Sequence, residues 1–485
     1  MSDPAVATLD KTSWWGRPMG GHDVLRIALP LVVSSVSWTV MTFVDRMFLK
    51  WTSGEDMSAA FFAATVWFAS LCLPLGICIY VTTFVAQYHG DGQPKRIGPV
   101  MWQGVWIALL AGPILLFAAP VVAQVFNVAD HGPEIQQKEA LYFYILSVGT
   151  PAMLLAQSFS SFFSGRGQTH VVMWIDTIFV VLNLLLDYLW IFGHAGFPAM
   201  GIAGAGWATV VALWLKSLTY LLLVLQKKHR RQFDTFLGMW WDPRLLRRLV
   251  YFGGPSGVQL LLEVMGFSTF VLLVHRIGSL EAEATTMAFS VNTLAFMPIW
   301  GIALATGILV GQRLGEDQDD LAARATWTAF WIALGYMVLI SLLYLVIPEF
   351  FLFGFFVAGA DETGQQLAIK SMAANLLMFI AAYNLFDAAA MIFVCAIKGA
   401  GDTRFVLKLS LVMAAMLVLV TWLGVEVWKL SIYGCWGLFT IWIWGLGVVF
   451  LLRFLQGKWR KMRVIESHVK ESPTLDSPTP GPIPS

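Results

Sequence analysis

The chain carries little charge for its length. Only 13% of its 485 residues are Asp, Glu, Lys or Arg, whereas soluble domains average about 25%. Hydrophobic residues make up 58% of the chain, and the mean hydropathy is +0.71. A soluble protein of this length could not cover so much apolar surface, so the composition excludes a soluble globular protein. The net charge of +1 gives no reason to expect a nucleic acid or another acidic partner.

The sequence also lacks motifs for metal, redox or covalent chemistry. Four cysteines lie in apolar stretches without a Cys-x-x-Cys pair, and they are Cys72, Cys78, Cys395 and Cys435. They predict packing residues and neither a disulfide nor a metal site. There is no Asp-rich magnesium motif, no His–carboxylate cluster and no phosphate-binding Gly loop at a membrane face. We therefore expect no enzyme and no cofactor, which argues against a membrane-embedded prenyl or acyl transferase.

Long apolar runs fill most of the chain. Runs of about 20 residues are long enough to cross a bilayer core of roughly 30 Å. Twelve such spans are predicted at 24–49, 58–88, 98–126, 138–164, 170–193, 201–226, 248–276, 282–313, 321–347, 366–397, 404–427 and 431–455. The sequence therefore predicts an all-α polytopic membrane protein with twelve transmembrane helices.

The two halves of the chain repeat each other. Residues 85–106 align with residues 310–331 at a constant offset of 225, which pairs identical Val, Gln, Gly and Trp residues. Further on, Gly165-Arg-Gly-Gln-Thr169 aligns with Gly399-Ala-Gly-Asp-Thr403 at an offset of 234. Six spans per half give both halves the same orientation, as in parallel repeats related by an axis along the membrane normal. We expect two pseudo-symmetric six-helix lobes with a substrate path between them.

The predicted domains follow from this repeat. Residues 1–23 form a polar N-terminal segment, 24–226 the first lobe, 227–247 a connector, 248–455 the second lobe, and 456–485 a Pro- and Ser-rich tail predicted to be disordered. Basic residues concentrate in the connector, in turns on the same side, and after the last span. The positive-inside rule then predicts that the connector and both termini lie in the cytoplasm. The opposite loops are acidic and include Glu55, Asp130, Asp361 and Glu362.

Ionisable residues inside spans are the candidate functional residues, because each costs a few kcal/mol in a membrane. The candidates are Asp45 in the first span, Asn183 and Asp187 in the fifth, Glu263 in the seventh, and Tyr383 and Asp387 in the tenth, with Thr209 in the sixth as an addition. The spacing of four residues puts Asn183 beside Asp187, and Tyr383 beside Asp387, on one helix face. A buried carboxylate beside an amide or a phenol can hold a proton or a sodium ion.

Other interpretations of these residues stay open. Asp45, next to an arginine near the outer end of its helix, is also consistent with an interfacial charge, and so is Asp187. Glu263 and Asp387 are deeper in their spans and are alternatively structural hydrogen-bonding groups. Thr209 is alternatively a hydroxyl that bonds to its own helix.

Several fragments together resemble a known family. They are Ala28-Leu-Pro30 with Val44-Asp45, Val85-Ala-Gln-Tyr-His-Gly90, Asn183-Leu-Leu-Leu-Asp187-Tyr188, Gly201-Ile-Ala-Gly204-Ala, Phe296-Met-Pro298, Val310-Gly-Gln312-Arg-Leu-Gly315 and Lys398-Gly-Ala-Gly-Asp402-Thr403. In this order the chain resembles a multidrug and toxic compound extrusion (MATE) transporter of the NorM-type branch over about residues 20–455. The resemblance implies a V-shaped, two-lobed bundle that exports organic cations by antiport with Na⁺ or H⁺.

By the same resemblance, Asp45, Asn183, Asp187 and Thr209 are expected to form the cation site of the first lobe. Glu263, Tyr383 and Asp387 are expected to form that of the second. Acidic candidates occur in both lobes, so the coupling ion and the coupling lobe stay open. A lipid-linked precursor flippase of the same superfamily is the alternative function, although its cavity would need to be cationic. The expected partners are small organic cations and membrane lipids, and the expected state is a monomer in a plasma or bacterial inner membrane.

Overall fold

The computed structural model describes residues 13–128, 132–352 and 364–466. Residues 1–12 and 467–485 of the predicted terminal segments, and the predicted loop residues Asp130, Asp361 and Glu362, lie outside the described residues. Twelve described helices are long and apolar enough to span a membrane, which confirms the predicted all-α polytopic fold. They are α1 (Gly21–Thr52), α2 (Gly54–Gly90), α3 (Pro94–Val122), α4 (Pro133–Ser164), α5 (Thr169–Phe192), α6 (Ile202–Val224), α7 (Pro243–His275), α8 (Ser279–Gly315), α9 (Asp319–Val346), α10 (Gly364–Ala400), α11 (Thr403–Trp422) and α12 (Ile432–Leu455).

The two halves pack in corresponding ways. In the first half α4 packs against α2, α3 and α6, and in the second half α10 packs against α8, α9 and α12. The two halves contact each other through their first helices: α1 packs against α8 of the second half, and α7 packs against α2 of the first half. One difference stands out: α5 packs extensively against α6, whereas the corresponding pair α11 and α12 makes little contact.

The halves are joined at one end of the bundle. We call the end where α1 begins and α12 finishes the terminal end. Nearer the middle of the helices, a Cβ on Gly76 of α2 would lie 2.3 Å from the Cα of Gly257 on α7, so only glycine permits this crossing. The Gln87 amide donates to the Gly399 carbonyl (2.9 Å), and the corresponding Gln312 amide donates to the Gly165 carbonyl (2.8 Å). Among the described residues, the side-chain hydrogen bonds between the halves lie at this end.

The connector is more structured than a predicted polar tether. It contains the short helix Lys227–Phe233 and lies against α3, whose Trp102 and Trp106 indoles donate to carbonyls of Thr235 (2.7 Å) and Met239 (3.0 Å). Helix α7 begins at Pro243, inside the range predicted for the connector, because Asp242 caps it by accepting from two backbone N–H groups at its start. Span prediction placed this start too late because the first turn of α7 is basic.

The start of the predicted tail is ordered, which corrects the prediction for residues 456–466. Gly457 turns the chain with a φ of +70°, and Trp459 then stacks on Phe454 with ring centres 4.8 Å apart. Trp459 is 2% exposed and Val464 is fully buried. We call residues 457–466 the C-terminal strap. Its burial against the bundle, which the Pro- and Ser-rich composition further along does not reveal, excludes disorder for this part.

The C-terminal strap joins both halves at the terminal end. The Val464 backbone N–H donates to Gln87 of α2 (2.8 Å), and the Tyr88 hydroxyl donates to Glu466 (3.0 Å). On the second half, Glu466 pairs with Arg248 of α7 (3.2 Å). Further ion pairs link Arg460 to Asp319 and Asp320, and Arg463 to Asp317. The strap therefore bridges the two halves in the closed arrangement of the terminal end.

Removing the strap should favour opening of the terminal end. We expect a chain ending at Gln456 to shift the ratio of open to closed terminal ends at least about tenfold, since hydrogen bonds to charged groups contribute about 1.5–3 kcal/mol each. Distances between spin labels on α2 and α8 would measure the shift. A chain ending at Glu466 is the matched control and should behave as the full chain. Identical distance distributions for both truncations would contradict the prediction.

Candidate functional site

Three helices bring the first-half candidates together in a buried cluster. Asp187 and Asn183 of α5 are fully buried, and Asp45 of α1 and Thr209 of α6 are each 9% exposed. Asn183 lies one helical turn before Asp187, as its spacing predicts. The Asn183 amide nitrogen is 3.4 Å from the Thr209 hydroxyl. With the amide turned, its nitrogen instead donates to Asp187 Oδ2 (3.1 Å) and its oxygen accepts from the Thr209 backbone N–H (3.3 Å). The turned amide satisfies both of its ends, so we adopt it.

The Asp45 and Asp187 carboxyl groups lie within hydrogen-bonding reach of each other. A carboxylate only accepts hydrogen bonds, so a bond between two carboxyl groups requires a proton on one of them. No N–H or hydroxyl group among the described residues donates to the second oxygen of Asp187, Oδ1. This pair, which we call the Asp45–Asp187 pair, is therefore a place where a proton or a monovalent cation can be held between two helices.

The surroundings of the pair are largely neutral. Tyr142 of α4 is buried within electrostatic range of both carboxyl groups. The neighbouring Arg46 is exposed and lies over the ring of Phe61, 4.6 Å from its centre. Asp45 points into the helix bundle while Arg46 points outward, which favours a buried functional group over an interfacial charge.

A second charged group in the first half was missed by sequence reasoning. Asp176 of α5 forms an ion pair with Lys216 of α6 (2.7 Å), and it also accepts hydrogen bonds from the hydroxyls of Ser34 and Tyr220. Both charged residues lie inside predicted spans, so a complete search for intramembrane charges would have found them. The pair carries no net charge, in contrast to the Asp45–Asp187 pair, and it links α1, α5 and α6.

A narrow cavity of about 40 Å³ lies between the Asp176–Lys216 pair and the Asn183–Thr209 side of the first-half cluster. The Asp176–Lys216 pair lies on one side, Asn183 and Thr209 lie on the other, and the walls include Trp38 of α1. Such a cavity can hold at least one water molecule, for which roughly 10–15 Å³ is needed. Water or a small ion in this cavity can therefore reach Asn183 and Thr209 of the first-half cluster.

The second-half candidates lie in a more open arrangement. Glu263 of α7 is exposed and accepts from the Gln259 amide one turn earlier (2.8 Å). On α10, Tyr383 is buried and Asp387 half-buried, and the two are within electrostatic range of each other. The Tyr383 hydroxyl accepts from Asn292 of α8 (3.2 Å). Asn292 was not among the predicted site residues, although it is an amide inside a span.

Glu263 stands between the two halves. It is within electrostatic range of Asp387 and Lys398 on α10 and of Cys72 on α2 of the other half. Sequence reasoning used Lys398 only as a topology marker, because it lies near the end of its span. Two carboxylates and one ammonium group leave this region with one net negative charge. An exposed group of this kind attracts a cation but does not enclose it.

The two sites suit different tasks. The first-half site is buried, and its two carboxyl groups meet directly. No hydrogen bond joins Glu263 to Asp387 among the described residues, and the exposed Glu263 faces the space between the halves. The structure thus brings the predicted residues together within each half and leaves the two sites apart. The predicted assignment of these residues to ion binding stays a prediction.

Twelve membrane-spanning helices in two similar halves, with carboxylates buried in one half and facing the interior in the other, define a two-lobed polytopic membrane transporter. A model of the MatE family matches residues 30–189 and 255–423, more than half of the chain. The chain therefore belongs to the MatE family, which confirms the expected membership.

Relatives and solved structures agree with this membership. A multidrug resistance protein NorM of Vibrio vulnificus (strain YJ016) is 30% identical over 430 residues, or 87% of this chain and 92% of that protein. A NorM of Aliivibrio fischeri (strain ATCC 700601 / ES114) is 28% identical over 420 residues, or 85% of this chain and 89% of that protein. A solved outward-facing conformation of a multidrug resistance MATE family transporter of the MOP superfamily matches with a TM-score of 0.83 at 18% identity, covering 93% of this chain and 100% of that one.

Proposed function

We propose that this protein is a multidrug efflux transporter that exports organic cations by antiport, with protons as the coupling ion. The Asp45–Asp187 pair carries the proposal, since two buried carboxyl groups within hydrogen-bonding reach can hydrogen-bond to each other when one of them carries a proton. The relatives that this chain matches over most of their length are named multidrug resistance proteins, which supports the efflux activity. The activity moves solutes and changes no covalent bond. A single chain already supplies both lobes, so we propose a monomer.

Coupling requires that proton and substrate favour different conformations. With its proton, the Asp45–Asp187 pair holds α1 against α5 and carries one negative charge at most. Without the proton, two adjacent charges repel each other inside a low-dielectric lobe, and α1 is pushed from α5. A positively charged substrate would offset that repulsion. Proton binding and substrate binding would thus compete for the same negative charge, so one drives release of the other.

Access would alternate between the two ends of the bundle. The terminal end is closed by the hydrogen bonds between the halves and by the C-terminal strap described above. In this arrangement the space between the halves, with exposed Glu263, faces away from the terminal end. We place the terminal end in the cytoplasm because basic residues of the connector, of the other turns on this side and of the segment after α12 lie there. The protein would then be in an outward-facing state of a bacterial inner membrane or another plasma membrane.

The interior charges fit organic cations better than anionic lipid precursors. Asp45, Asp187, Glu263 and Asp387 are acidic, and Lys216 is offset by its partner Asp176. A flippase for lipid pyrophosphates would require a net positive interior. No observation on this chain therefore favours the flippase alternative.

The proposal is tested by measuring ethidium movement in proteoliposomes of verified protein orientation. Proton and sodium gradients are imposed separately. We expect an opposing proton gradient to drive ethidium transport, and a sodium gradient alone to leave it at the rate of protein-free liposomes. Transport driven only by sodium would overturn the proton assignment. No transport under either gradient would overturn antiport of organic cations.

A further inference from the structure

A cationic pocket opens at the terminal end of the first half, away from the carboxylates of the proposed function. It has a volume of about 260 Å³ and lies between the end of α2, the turn after α4 and the short helix Lys227–Phe233. Its polar lining consists of His89, Arg166, Gln168, Lys228, His229 and Gln232. No carboxylate is among the residues that line it in the described part of the chain. We call it the Arg166 pocket.

Arg166 is held rigidly at the base of this pocket. Although only 8% exposed, it has no carboxylate partner among the described residues. Its Nε donates to the Phe162 carbonyl (2.7 Å) and its Nη2 to Gln168 Oε1 (3.0 Å). Its guanidinium lies 3.8 Å from the ring centre of Phe162 and 4.4 Å from that of Phe233. A guanidinium has five N–H donors, so three are not used by these two bonds, and Arg166 lines the pocket.

The repeat shows that this unpaired charge is specific to the first half. The turn Gly165-Arg-Gly-Gln-Thr169 corresponds to Gly399-Ala-Gly-Asp-Thr403 in the second half. There, alanine replaces the arginine and Asp402 replaces the glutamine. Asp402 is paired with Arg453 of α12 (2.6 Å). In the second half this turn therefore carries an aspartate that is neutralised by an arginine, whereas in the first half it carries an arginine without a carboxylate partner among the described residues. The fold itself does not require the arginine at this turn.

Lys228 strengthens the positive field of the pocket, whereas the lowered pKa of His229 keeps that side chain neutral. Lys228 is exposed at the rim and His229 lies beside it on the same short helix. Burial lowers the pKa of the His229 imidazole, and the charges of Arg166 and Lys228 lower it further, against a hydrogen bond to the Leu223 carbonyl. Glu316, the carboxylate within electrostatic range of His89, already pairs with Arg313. This carboxylate is therefore not free to neutralise the positive charge of the pocket.

We propose that the Arg166 pocket binds a phosphate-type oxyanion, from an anionic lipid headgroup or from phosphate in solution. Arginine presents planar N–H pairs that match phosphate oxygens, and lysine adds a mobile charge. The volume exceeds the roughly 30 Å³ of a water molecule severalfold, which leaves room for a tetrahedral anion. This inference does not rest on the proposed efflux activity, because the pocket contains none of the carboxylates assigned to it.

Binding from solution is tested with sulfate, which keeps its charge where phosphate titrates. Thermal unfolding of purified protein is followed against sulfate concentration, with chloride at matched ionic strength as the baseline. We expect sulfate to stabilise the wild type, and inorganic phosphate to do the same. Arg166→Gln and Lys228→Glu should each weaken this effect by at least about tenfold, as expected for losing a charge-assisted hydrogen bond or adding a like charge.

The controls distinguish binding at the Arg166 pocket from a nonspecific effect of the net charge of the protein. Arg231→Glu makes the same charge change as Lys228→Glu on the same short helix, at an exposed residue that does not line the pocket. It should bind sulfate as the wild type does. Lys228 is exposed, so Lys228→Glu gives a folded variant even if Arg166→Gln does not fold. Equal sulfate binding by Lys228→Glu, Arg231→Glu and wild type would remove solution phosphate as the source.

The lipid source is tested in nanodiscs of phosphatidylcholine with a minor fraction of phosphatidylglycerol. Lipid retained after extraction is counted by mass spectrometry of the intact protein. Phosphatidylglycerol retained by wild type and Arg231→Glu, and lost from Lys228→Glu, would assign the site to a lipid headgroup. Sulfate binding that depends on Lys228 without such retention would assign it to a free anion. If neither sulfate binding nor lipid retention depends on Lys228, the proposal is wrong.

Discussion

Asp187→Asn is expected to abolish proton-driven ethidium transport while leaving the protein folded. The asparagine amide can donate to Asp45 in place of the shared proton, so the contact between α5 and α1 survives. The amide does not release its protons, so this contact can no longer lose a proton. Because the cycle requires the Asp45–Asp187 pair to gain and lose a proton, we expect the transport rate to fall by at least about 100-fold, or about 2.7 kcal/mol in the barrier. The rate is measured in proteoliposomes under a proton gradient.

Stability separates this loss of function from loss of fold. Asp187→Ala leaves Asp45 and the Asn183 amide without their buried partner, and such an unpaired group costs about 1–3 kcal/mol. Asp187→Asn should therefore unfold near the wild-type temperature, and Asp187→Ala clearly below it. Glu134→Gln, an exposed carboxylate at the start of α4, serves as the control and should transport normally. Proton-driven transport by Asp187→Asn at the wild-type rate would show that the pair is structural.

Much of the fold could be predicted because the membrane imposes it. Every backbone polar group within a bilayer must be satisfied inside the protein, so long apolar runs become helices with few alternatives. The 225-residue repeat then predicted two equivalent halves, and each half does pack around its fourth helix, α4 or α10. The difference between α5–α6 and α11–α12 could not be predicted, because it arises from packing between helices of similar composition.

The candidate site could be predicted where its residues share a helix. Asn183 and Asp187 are one turn apart, and this spacing alone puts them on one face. The meeting of Asp187 with Asp45 depends on how α1 lies against α5, which no local pattern encodes. The same reason explains why Lys398 was taken for a topology marker: its proximity to Glu263 depends on where α7 and α10 lie in the bundle, and the sequence around Lys398 does not encode this. The C-terminal strap was missed because its partners lie on α2, on α7, and on the start of α9 and the turn before it.

Glu263→Gln is the second change for which we expect loss of transport, but with a different signature. Glu263 is exposed between the halves. The two negative charges of Glu263 and Asp387 outnumber the single positive charge of Lys398. Neutralising Glu263 leaves Asp387 and Lys398 to cancel each other, so the interior no longer attracts a cation. At an effective dielectric constant of 20, two unit charges 4 Å apart interact by about 4 kcal/mol. We therefore expect ethidium to bind at least about tenfold more weakly to purified Glu263→Gln, and efflux to be lost.

Asp387→Asn should have the same effect on binding, since it removes the other carboxylate of this region. If both carboxylates hold one cation, the double variant Glu263→Gln/Asp387→Asn will lose less binding free energy than the two single variants add up to. Glu283→Gln, an exposed carboxylate at the start of α8, is the control and should bind and transport ethidium normally. Unchanged efflux by Glu263→Gln and Asp387→Asn at normal expression would reject the second-half assignment. Lost efflux with unchanged ethidium binding would instead make these carboxylates part of the coupling step, because a residue that only attracts the substrate must act on its affinity.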